Sequence, residues 1–192
     1  ELDGEEIKIA FAFILSMPGA PFIYYGDEIG MRNMAGLDSV EGSEERTQSR
    51  TPMQWNKAVN GGFSTAGPDK LYAPMDPDRN RPDVEAQMAE DGSLWKEIQS
   101  LIQIRHAHKV LQSKAPVRFV YAEKNSYPFV YIRECEEERI LVVLNPKEEA
   151  AACELSEGFQ WSEVIYSNNG AAKLEGRTLS VPGASATFFR LL

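Results

Sequence analysis

The sequence predicts an α/β unit followed by an antiparallel β domain, and three observations support this fold class. Apolar residues near the start of the chain have the spacing of an amphipathic helix. A short, uniformly apolar run at positions 21–26 follows a Pro-Gly pair, as expected for a buried strand. Beyond Pro116, apolar and polar residues alternate in several short segments. We therefore expect one domain over residues 1–112 and a second over residues 113–192.

The first helix and the run that follows it define the predicted α/β unit. The helix ends at Pro18 and Gly19, and its apolar stripe consists of Ile7, Ala10, Phe11, Ile14 and Leu15. The run Pro-Phe-Ile-Tyr-Tyr-Gly at positions 21–26 is long enough for a strand and too short for a helix. Because it is apolar on both faces, we expect it to lie inside a parallel sheet. The sequence offers no second parallel strand to accompany it.

About sixty residues after this strand lack periodicity and are predicted to form a loop. Compact domains seldom keep so long an irregular segment unless it builds a binding surface. A surface insertion with no role is the alternative. The loop contains aromatic and arginine side chains that are unusual in a solvated linker, namely Arg46, Arg50, Trp55, Phe63 and Tyr72. These residues favour a binding surface at the end of the strand.

A second helix and five strands complete the predicted fold. Ser93 has the residue type and position of a helix N-cap, and apolar residues at helical spacing continue to about Lys109. Strands are predicted at positions 117–121, 128–132, 139–144, 161–166 and 186–191. Short strands joined by turns indicate an antiparallel sheet or sandwich.

The composition restricts the partners that this protein can attract. The formal net charge is -9 and the pI is near 4.8, which opposes attraction to nucleic acid and to anionic membranes. A neutral sugar meets no such opposition. No metal-ligand cluster or cofactor motif is evident, although scattered acidic loop residues leave a surface calcium ion open. Cys135 and Cys153 are expected to be reduced structural thiols, which fits a cytoplasmic location.

Three longer motifs connect these elements to a known family. Residues 15–31 read Leu-Ser-Met-Pro-Gly-Ala-Pro-Phe-Ile-Tyr-Tyr-Gly-Asp-Glu-Ile-Gly-Met, residues 49–55 read Ser-Arg-Thr-Pro-Met-Gln-Trp, and residues 101–105 read Leu-Ile-Gln-Ile-Arg. Together they resemble glycoside hydrolase family 13, the α-amylase family. The first motif looks like the family's passage from the seventh helix into the eighth strand of its barrel. The second resembles a motif of its α-glucosidases, oligo-1,6-glucosidases, dextran glucosidases and trehalose synthases, and the third is similar to its Leu-Ile-x-Leu-Arg signature in the eighth helix.

The resemblance implies both a fold and a function. The first domain would be the last strand and flanking helices of a (β/α)8 TIM barrel, and the second a C-terminal antiparallel β-sandwich. The protein would be a retaining α-glucoside hydrolase or transglycosylase acting on α-glucans, oligosaccharides or disaccharides. The family's three catalytic carboxylates precede this segment, and its Asn-His-Asp motif is not found around His106 or His108. The chain is therefore expected to be inactive alone and to need the missing N-terminal part of the barrel.

Two other classes of protein fit less of the sequence. A non-catalytic carbohydrate-binding or structural β module would explain only residues 116–192. A nucleotide-binding α/β domain would need a Gly-rich turn from strand into helix, and residues 26–30 lack that spacing.

Arg50 is the first candidate for substrate binding. Its guanidinium offers five donors in a fixed plane, which suits vicinal hydroxyls or an adjacent carboxylate. By resemblance to the family's exo-acting glucosidases, it would contact the non-reducing terminal glucose. The alternative is a salt bridge that fixes the long loop. Arg46 and Gln54 have polar tips in the same loop and are further candidates.

Asp27 and Glu28 directly follow the predicted strand. A retaining pair of carboxyl groups lies about 5 Å apart, and adjacent residues leaving a strand point to opposite sides. We therefore expect one of the two to line the mouth of the sugar pocket or to hold the loop by hydrogen bonds, with a structural role for both as the alternative. Trp55 could stack on a sugar, but we expect this large aromatic residue to anchor the loop in the core.

Overall fold

The structure, a computed structural model, describes residues 4–38 and 46–192. These residues form three α-helices, which are α1 (Gly4–Ser16), α2 (Val84–Ala89) and α3 (Leu94–Ala107). They also form eight strands: β1 (Val117–Tyr121), β2 (Phe129–Glu134), β3 (Arg139–Asn145), β4 (Ala151–Glu154), β5 (Trp161–Asn168), β6 (Lys173–Glu175), β7 (Thr178–Val181) and β8 (Ser185–Leu191). None of the three helices in this part of the chain is long and apolar enough to cross a membrane.

The chain packs as two compact units. One contains the chain up to Phe22 together with Ile98–Leu192, and the other contains Ile23–Glu97. The first unit therefore holds α1, most of α3 and the strands, while the second holds the long loop, α2 and the start of α3. The domain boundary expected at residue 112 stays a prediction. It separates the predicted barrel part from the C-terminal β domain, whereas the two packing units divide the chain at other positions.

Both predicted long helices are confirmed. The buried apolar stripe of α1 consists of Ile9, Phe11, Ala12 and Leu15, so Phe11 and Leu15 of the predicted stripe are buried, whereas Ile14 is 40% exposed. Gly19, beyond the end of the helix, has a φ of 100°. Only glycine adopts that backbone conformation without strain, so the chain can turn sharply there. Ser93 caps α3, since its Oγ accepts a hydrogen bond from the backbone N–H of Lys96 at 3.3 Å.

The β domain consists of two antiparallel sheets. The larger has the strand order β1-β2-β3-β8-β5, and the smaller has the order β4-β7-β6. Alternate residues of both sheets share one core that includes Ile132, Leu141, Leu179, Val181 and Phe189. This arrangement is a β-sandwich, as predicted. The prediction missed β4, β6 and β7, because segments of three or four residues carry too few alternations to be recognised.

The opposite face of the larger sheet is covered by α1, which packs against β3 and β8. The hydroxyl groups of Ser16 in α1 and Tyr131 in β2 are 2.5 Å apart. Burial raises the pKa of the Tyr131 hydroxyl well above its usual range, so it remains protonated at this contact. The central strands of the larger sheet, β2, β3 and β8, are therefore buried on both faces.

Two buried arginines bind the backbone of this unit. Arg133 in β2 is fully buried and donates hydrogen bonds to the carbonyl oxygens of Ser16, Leu111, Gln112, Ala115 and Pro116. Arg105 in α3 donates to those of Leu15, Met17, Gly19 and Leu111. Within the described ranges neither guanidinium pairs with a carboxylate. Burial, with a further contribution from Arg105, lowers the pKa of Arg133 to about 10, which leaves it charged at neutral pH.

The buried strand expected at positions 21–26 is not formed. Residues 20–24 have no regular secondary structure, and Phe22 and Tyr24 are 91% and 49% exposed. A parallel strand is stabilised by hydrogen bonds to neighbouring strands, and no described segment pairs with this run. The prediction of a strand at positions 21–26 was therefore wrong for this chain, although the run is short and apolar.

The long irregular segment was predicted as loop throughout but contains α2. Asp83 precedes this helix, and its Oδ1 accepts a hydrogen bond from the backbone N–H of Ala86 at 2.8 Å. Six residues make fewer than two turns, so the sequence shows no helical period here. The remainder of the described segment consists of short 3-10 turns and irregular chain, as expected.

Candidate functional site

A cavity of about 380 Å³ lies within the Ile23–Glu97 unit. Its wall includes the ionic side chains of Glu28 and Arg50, together with four aromatic residues, Tyr25, Trp55, Phe63 and Tyr72. A concave surface with few polar groups among aromatic side chains is typical of a small-molecule site. Two of the five predicted site residues, Arg50 and Glu28, are thus brought together by the fold.

A tight turn places Glu28 at the cavity. Gly26 has a φ of 93°, and a Cβ at this position would come within 2.7 Å of Met31 Sδ, so the turn requires glycine. Glu28 Oε2 accepts a hydrogen bond from the Gly26 N–H at 2.7 Å. The neighbouring Asp27 is exposed and accepts from the Tyr24 N–H at 3.2 Å, without lining the cavity. Of the adjacent carboxylates, only Glu28 therefore faces this cavity.

Tyr25 and Arg50 lie near one another in the cavity wall. The Tyr25 hydroxyl donates to the carbonyl oxygen of Thr51 at 3.0 Å. Burial raises the pKa of Tyr25, Tyr24 raises it further, and the positive charge of Arg50 opposes this shift. The Arg50 guanidinium forms no hydrogen bond or ion pair with any residue in the ranges 4–38 and 46–192. The N–H donors of the Arg50 guanidinium therefore have no partner among these residues, and the side chain lines the cavity.

The other two predicted site residues lie elsewhere. Arg46 is exposed at the start of a 3-10 helix, Arg46–Ser49, and does not line the cavity. Gln54 is only 1% exposed, and neither polar atom of its side-chain amide has a hydrogen-bond partner in the described chain. The structure does not bring Arg46, Gln54 or Asp27 to the cavity that Arg50 and Glu28 share.

Trp55 was expected to be buried in the core, and this prediction was wrong. Met53 and Gln54 take the interior positions, and the chain then turns, with the Trp55 N–H donating to the carbonyl oxygen of Gly61 at 2.8 Å. The indole is left 49% exposed on the cavity wall. The large aromatic side chain behind a Pro favoured burial, and the turn that follows Trp55 was not identified from the sequence.

An ion-pair network that the sequence analysis missed supports the loops of this unit. Arg32 donates to both carboxyl oxygens of Asp76, at 2.8 to 3.1 Å, and its Nη2 lies 2.9 Å from Asp78 Oδ2. Asp76 is 4% exposed and also accepts from the Asp78 N–H at 2.9 Å. Arg32 and Asp76 are 44 positions apart, so no local spacing could have revealed their pairing. Across residues 4–38 and 46–192, no group of three or more His, Cys, Asp or Glu side chains is arranged to hold a metal ion.

Two known protein families match parts of this chain. Residues 2–114 match the alpha amylase catalytic domain, and residues 117–183 match the maltogenic amylase C-terminal domain. The chain belongs to the alpha-amylase family. The resemblance noted in its three motifs is confirmed, and so is the fold class, a part of the catalytic domain followed by an antiparallel C-terminal domain.

Individual family members have similar sequences and structures. The trehalose synthase/amylase TreS of Mycolicibacterium smegmatis is 38% identical over 112 residues, which are 56% of this chain and 18% of that protein. The glucan 1,6-alpha-glucosidase of Streptococcus pneumoniae is 32% identical over 169 residues, 73% of this chain and 30% of that protein. A mutant isomaltulose synthase from Erwinia rhapontici NX5, solved with its natural substrate sucrose, is 25% identical with a TM-score of 0.82. That match covers 98% of this chain and 38% of the synthase, so the chain spans less than two fifths of each of these proteins.

Proposed function

We propose that this region supplies part of the substrate site and the C-terminal domain of a retaining enzyme that hydrolyses or transfers α-linked glucosyl groups. The observation that carries the proposal is the Arg50 guanidinium, which faces a cavity also lined by Glu28 and Tyr25 without a described partner of its own. Membership of the alpha-amylase family supports the reaction class. The names of the relatives, a trehalose synthase and a glucan 1,6-alpha-glucosidase, support a glucoside substrate.

The two charged groups of the cavity suit a ligand rich in hydroxyl groups. A planar guanidinium can donate two parallel hydrogen bonds to neighbouring oxygen atoms. Glu28 Oε2 is held by the Gly26 N–H, which fixes the carboxylate while Oε1 can accept from a sugar hydroxyl. Arg50 and Glu28 would therefore bind and orient one glucosyl ring by a donor and an acceptor on the same wall.

The described residues that line this cavity do not supply the two bond-breaking groups of a retaining mechanism. Such a mechanism needs two carboxyl groups about 5 Å apart on either side of the glycosidic bond. Glu28 is the one carboxylate among the described residues that line the cavity. We therefore propose that the nucleophile and the acid come from the part of the family's catalytic domain that this chain does not span.

Replacing Arg50 by lysine in the complete gene product tests the proposal. Lysine keeps the charge but loses the planar fork, so kcat/KM for an α-glucoside should fall about tenfold to a hundredfold, the equivalent of ~1.5–3 kcal/mol. The Tm should change little, because Arg50 holds no described part of the loop. Initial-rate kinetics and thermal unfolding of the same preparations check both expectations.

Arg79→Lys is the matched control, since Arg79 is an exposed arginine of the same long segment outside the cavity wall. Its kinetic constants should equal those of the wild type. A sharp fall in Tm for Arg50→Lys with unchanged kcat/KM would instead identify Arg50 as a residue that fixes the loop, and would contradict its role in substrate binding.

A further inference from the structure

We infer that Gln87 in α2 is a positioning residue, whose side-chain amide holds residues 26–31, the Glu28 turn, in the place from which Glu28 faces the cavity. The inference rests on the proposed function and adds to it a residue that does not touch the substrate. Gln87 is not among the described residues that line the cavity, so it would act through Glu28.

The two ends of the Gln87 amide bind two different segments. Nε2 donates to the carbonyl oxygen of Ile29, the residue after Glu28, at 2.8 Å, and Oε1 accepts from the backbone N–H of Trp95 in α3 at 3.0 Å. A carbonyl oxygen needs a donor and an N–H needs an acceptor, so these two partners fix which way the amide points. A glutamine offers both groups, whereas an ionised glutamate offers only acceptors. Gln87 therefore connects the Glu28 turn to the start of α3.

The contact at Ile29 is made in the interior of the Ile23–Glu97 unit. Ile29 is 1% exposed, so its carbonyl oxygen cannot bind water in place of Gln87 unless the turn moves. Hydrogen bonds inside the turn, from the Ile29 and Met31 N–H groups to the carbonyl oxygen of Gly26 at 3.2 and 2.9 Å, hold these residues together. A shift at Ile29 would therefore also displace Glu28.

The N-terminal end of α2 is bound to the segment at residues 50–55, which supplies the other charged side chain of the cavity. The backbone N–H groups of Val84 and Glu85 donate to the carbonyl oxygens of Gln54 and Trp55, both at 3.0 Å. A helix of six residues is too short to be stable by itself, so these contacts fix where it forms. α2 is thus bound to one side of the site through its backbone and to the Glu28 turn through a side-chain amide.

Two further contacts hold the ends of α2. At its start, Asp83 is 2% exposed, and its Oδ2 lies 2.9 Å from Lys57 Nζ. At its end, Ser93 Oγ donates to the carbonyl oxygen of Gln87 at 2.6 Å. The backbone of Gln87 and both ends of its amide are therefore fixed, as a residue that sets the position of another must be.

Replacing Gln87 by glutamate in the complete gene product separates positioning from stability. Glutamate still accepts from the Trp95 N–H, and its negative charge suits the start of α3, so the Tm should change little. It cannot donate to Ile29, so kcat/KM for p-nitrophenyl α-glucoside should fall about fivefold or more. Gln87→Met, which has neither polar group, should lower kcat/KM and the Tm together. A lower Tm with unchanged kcat/KM for Gln87→Glu would overturn the inference.

A double-mutant cycle tests whether Gln87 acts through Glu28. If it does, its effect should vanish once the carboxylate is removed, so Gln87→Glu should lower kcat/KM of the Glu28→Ala variant by less than about twofold. A residue that only stabilises the fold would act independently of Glu28. The same fivefold loss in both backgrounds would therefore contradict the inference.

Gln112→Glu is the matched control for both experiments. Its Nε2 also donates to backbone carbonyl oxygens, those of Arg105 and His106 at 3.5 and 3.3 Å, but it lies outside the Ile23–Glu97 unit. This substitution should leave the kinetic constants at their wild-type values. A loss of kcat/KM equal to that of Gln87→Glu would show that the effect does not depend on the Glu28 turn, against the inference.

If Glu28→Ala and Arg50→Lys both leave kcat/KM unchanged, the proposed function fails, and hydrogen exchange then decides the role of Gln87 separately. Measured by mass spectrometry, the backbone amides of the Glu28 turn should exchange about fivefold faster in Gln87→Glu than in the wild type. Gln112→Glu should not change their exchange. Equal exchange rates in the turn for Gln87→Glu and the wild type would show that Gln87 does not hold it.

Discussion

Two apolar runs of this chain have similar compositions and opposite surroundings. Residues Ile140 to Leu144 in β3 are at most 3% exposed, whereas Phe22, Ile23, Tyr24 and Tyr25 are between 37% and 91% exposed. β3 pairs with β2 on one side and β8 on the other, and no described strand pairs with residues 22–25. An apolar run therefore indicates a strand only where the sequence also supplies its neighbours. Whether an apolar run is buried therefore depends on the strands that pair with it, and not on the composition of the run alone.

The largest effect that can sharpen this comparison is expected at Arg133. Arg133→Met would leave the carbonyl oxygens it binds without a donor in a dry interior, so unfolding free energy should fall by about 3–5 kcal/mol. Arg118→Met is the control, since that arginine is 44% exposed and makes surface ion pairs with Glu134 and Glu157. It should cost less than about 1 kcal/mol. Urea unfolding followed by circular dichroism measures both, and equal losses would contradict the role of the buried guanidinium.

A matched pair of truncations tests the comparison itself. Leu141→Ala removes a fully buried side chain from the core between the sheets and should cost about 2–5 kcal/mol. Phe22→Ala removes a ring that is 91% exposed and should change stability by no more than about 0.5 kcal/mol. The same unfolding experiment compares them. A loss above about 2 kcal/mol for Phe22→Ala would show that the run is covered in solution.

A smaller effect is expected in the unit formed by Ile23–Glu97. Asp76→Asn keeps the shape of the side chain but removes the charge that binds Arg32, and should cost about 1–2 kcal/mol because Arg32 is partly exposed. Asp69→Asn is the control, since Asp69 is 72% exposed and, among the described residues, pairs with Lys70 beside it. No measurable change is expected there. Thermal unfolding checks the pair, and similar Tm values for the two variants would contradict a supporting role of the Arg32–Asp76 contact.

Elements with enough residues to show a period were predictable from the sequence. The helical spacing of apolar residues in α1 and in α3 repeats several times, and β3 is a continuous apolar run that begins after a charged turn, so each could be recognised locally. The second sheet consists of strands of three or four residues and left no such signal. The run at 21–26 failed for another reason, because its composition is that of a strand while its partners are not in the described chain.

The candidate site was predictable in its ionic groups and less so in its aromatic wall. Arg50 and Glu28 were selected from a motif and from the chemistry of their side chains, and the fold places both on one cavity. Their roles in binding stay predictions. The exposed position of Trp55 depends on the turn closed at Gly61, which the sequence analysis did not identify. Contacts between residues distant in sequence, and turns set by backbone conformation, are what local patterns could not supply.

The carbonyl contacts of Arg133 bear on how this protein can be recombined with its relatives. The β domain looks like a module that could be cut after α3 and attached to another protein. Its second strand nevertheless holds the end of α1 through Ser16 and the connecting segment through Ala115, and α1 covers one face of its larger sheet. A graft that begins at β1 would carry a buried positive charge and an uncovered apolar face into a foreign host. A chimera has to inherit α1, the end of α3 and the sheet together, as a single discontinuous piece.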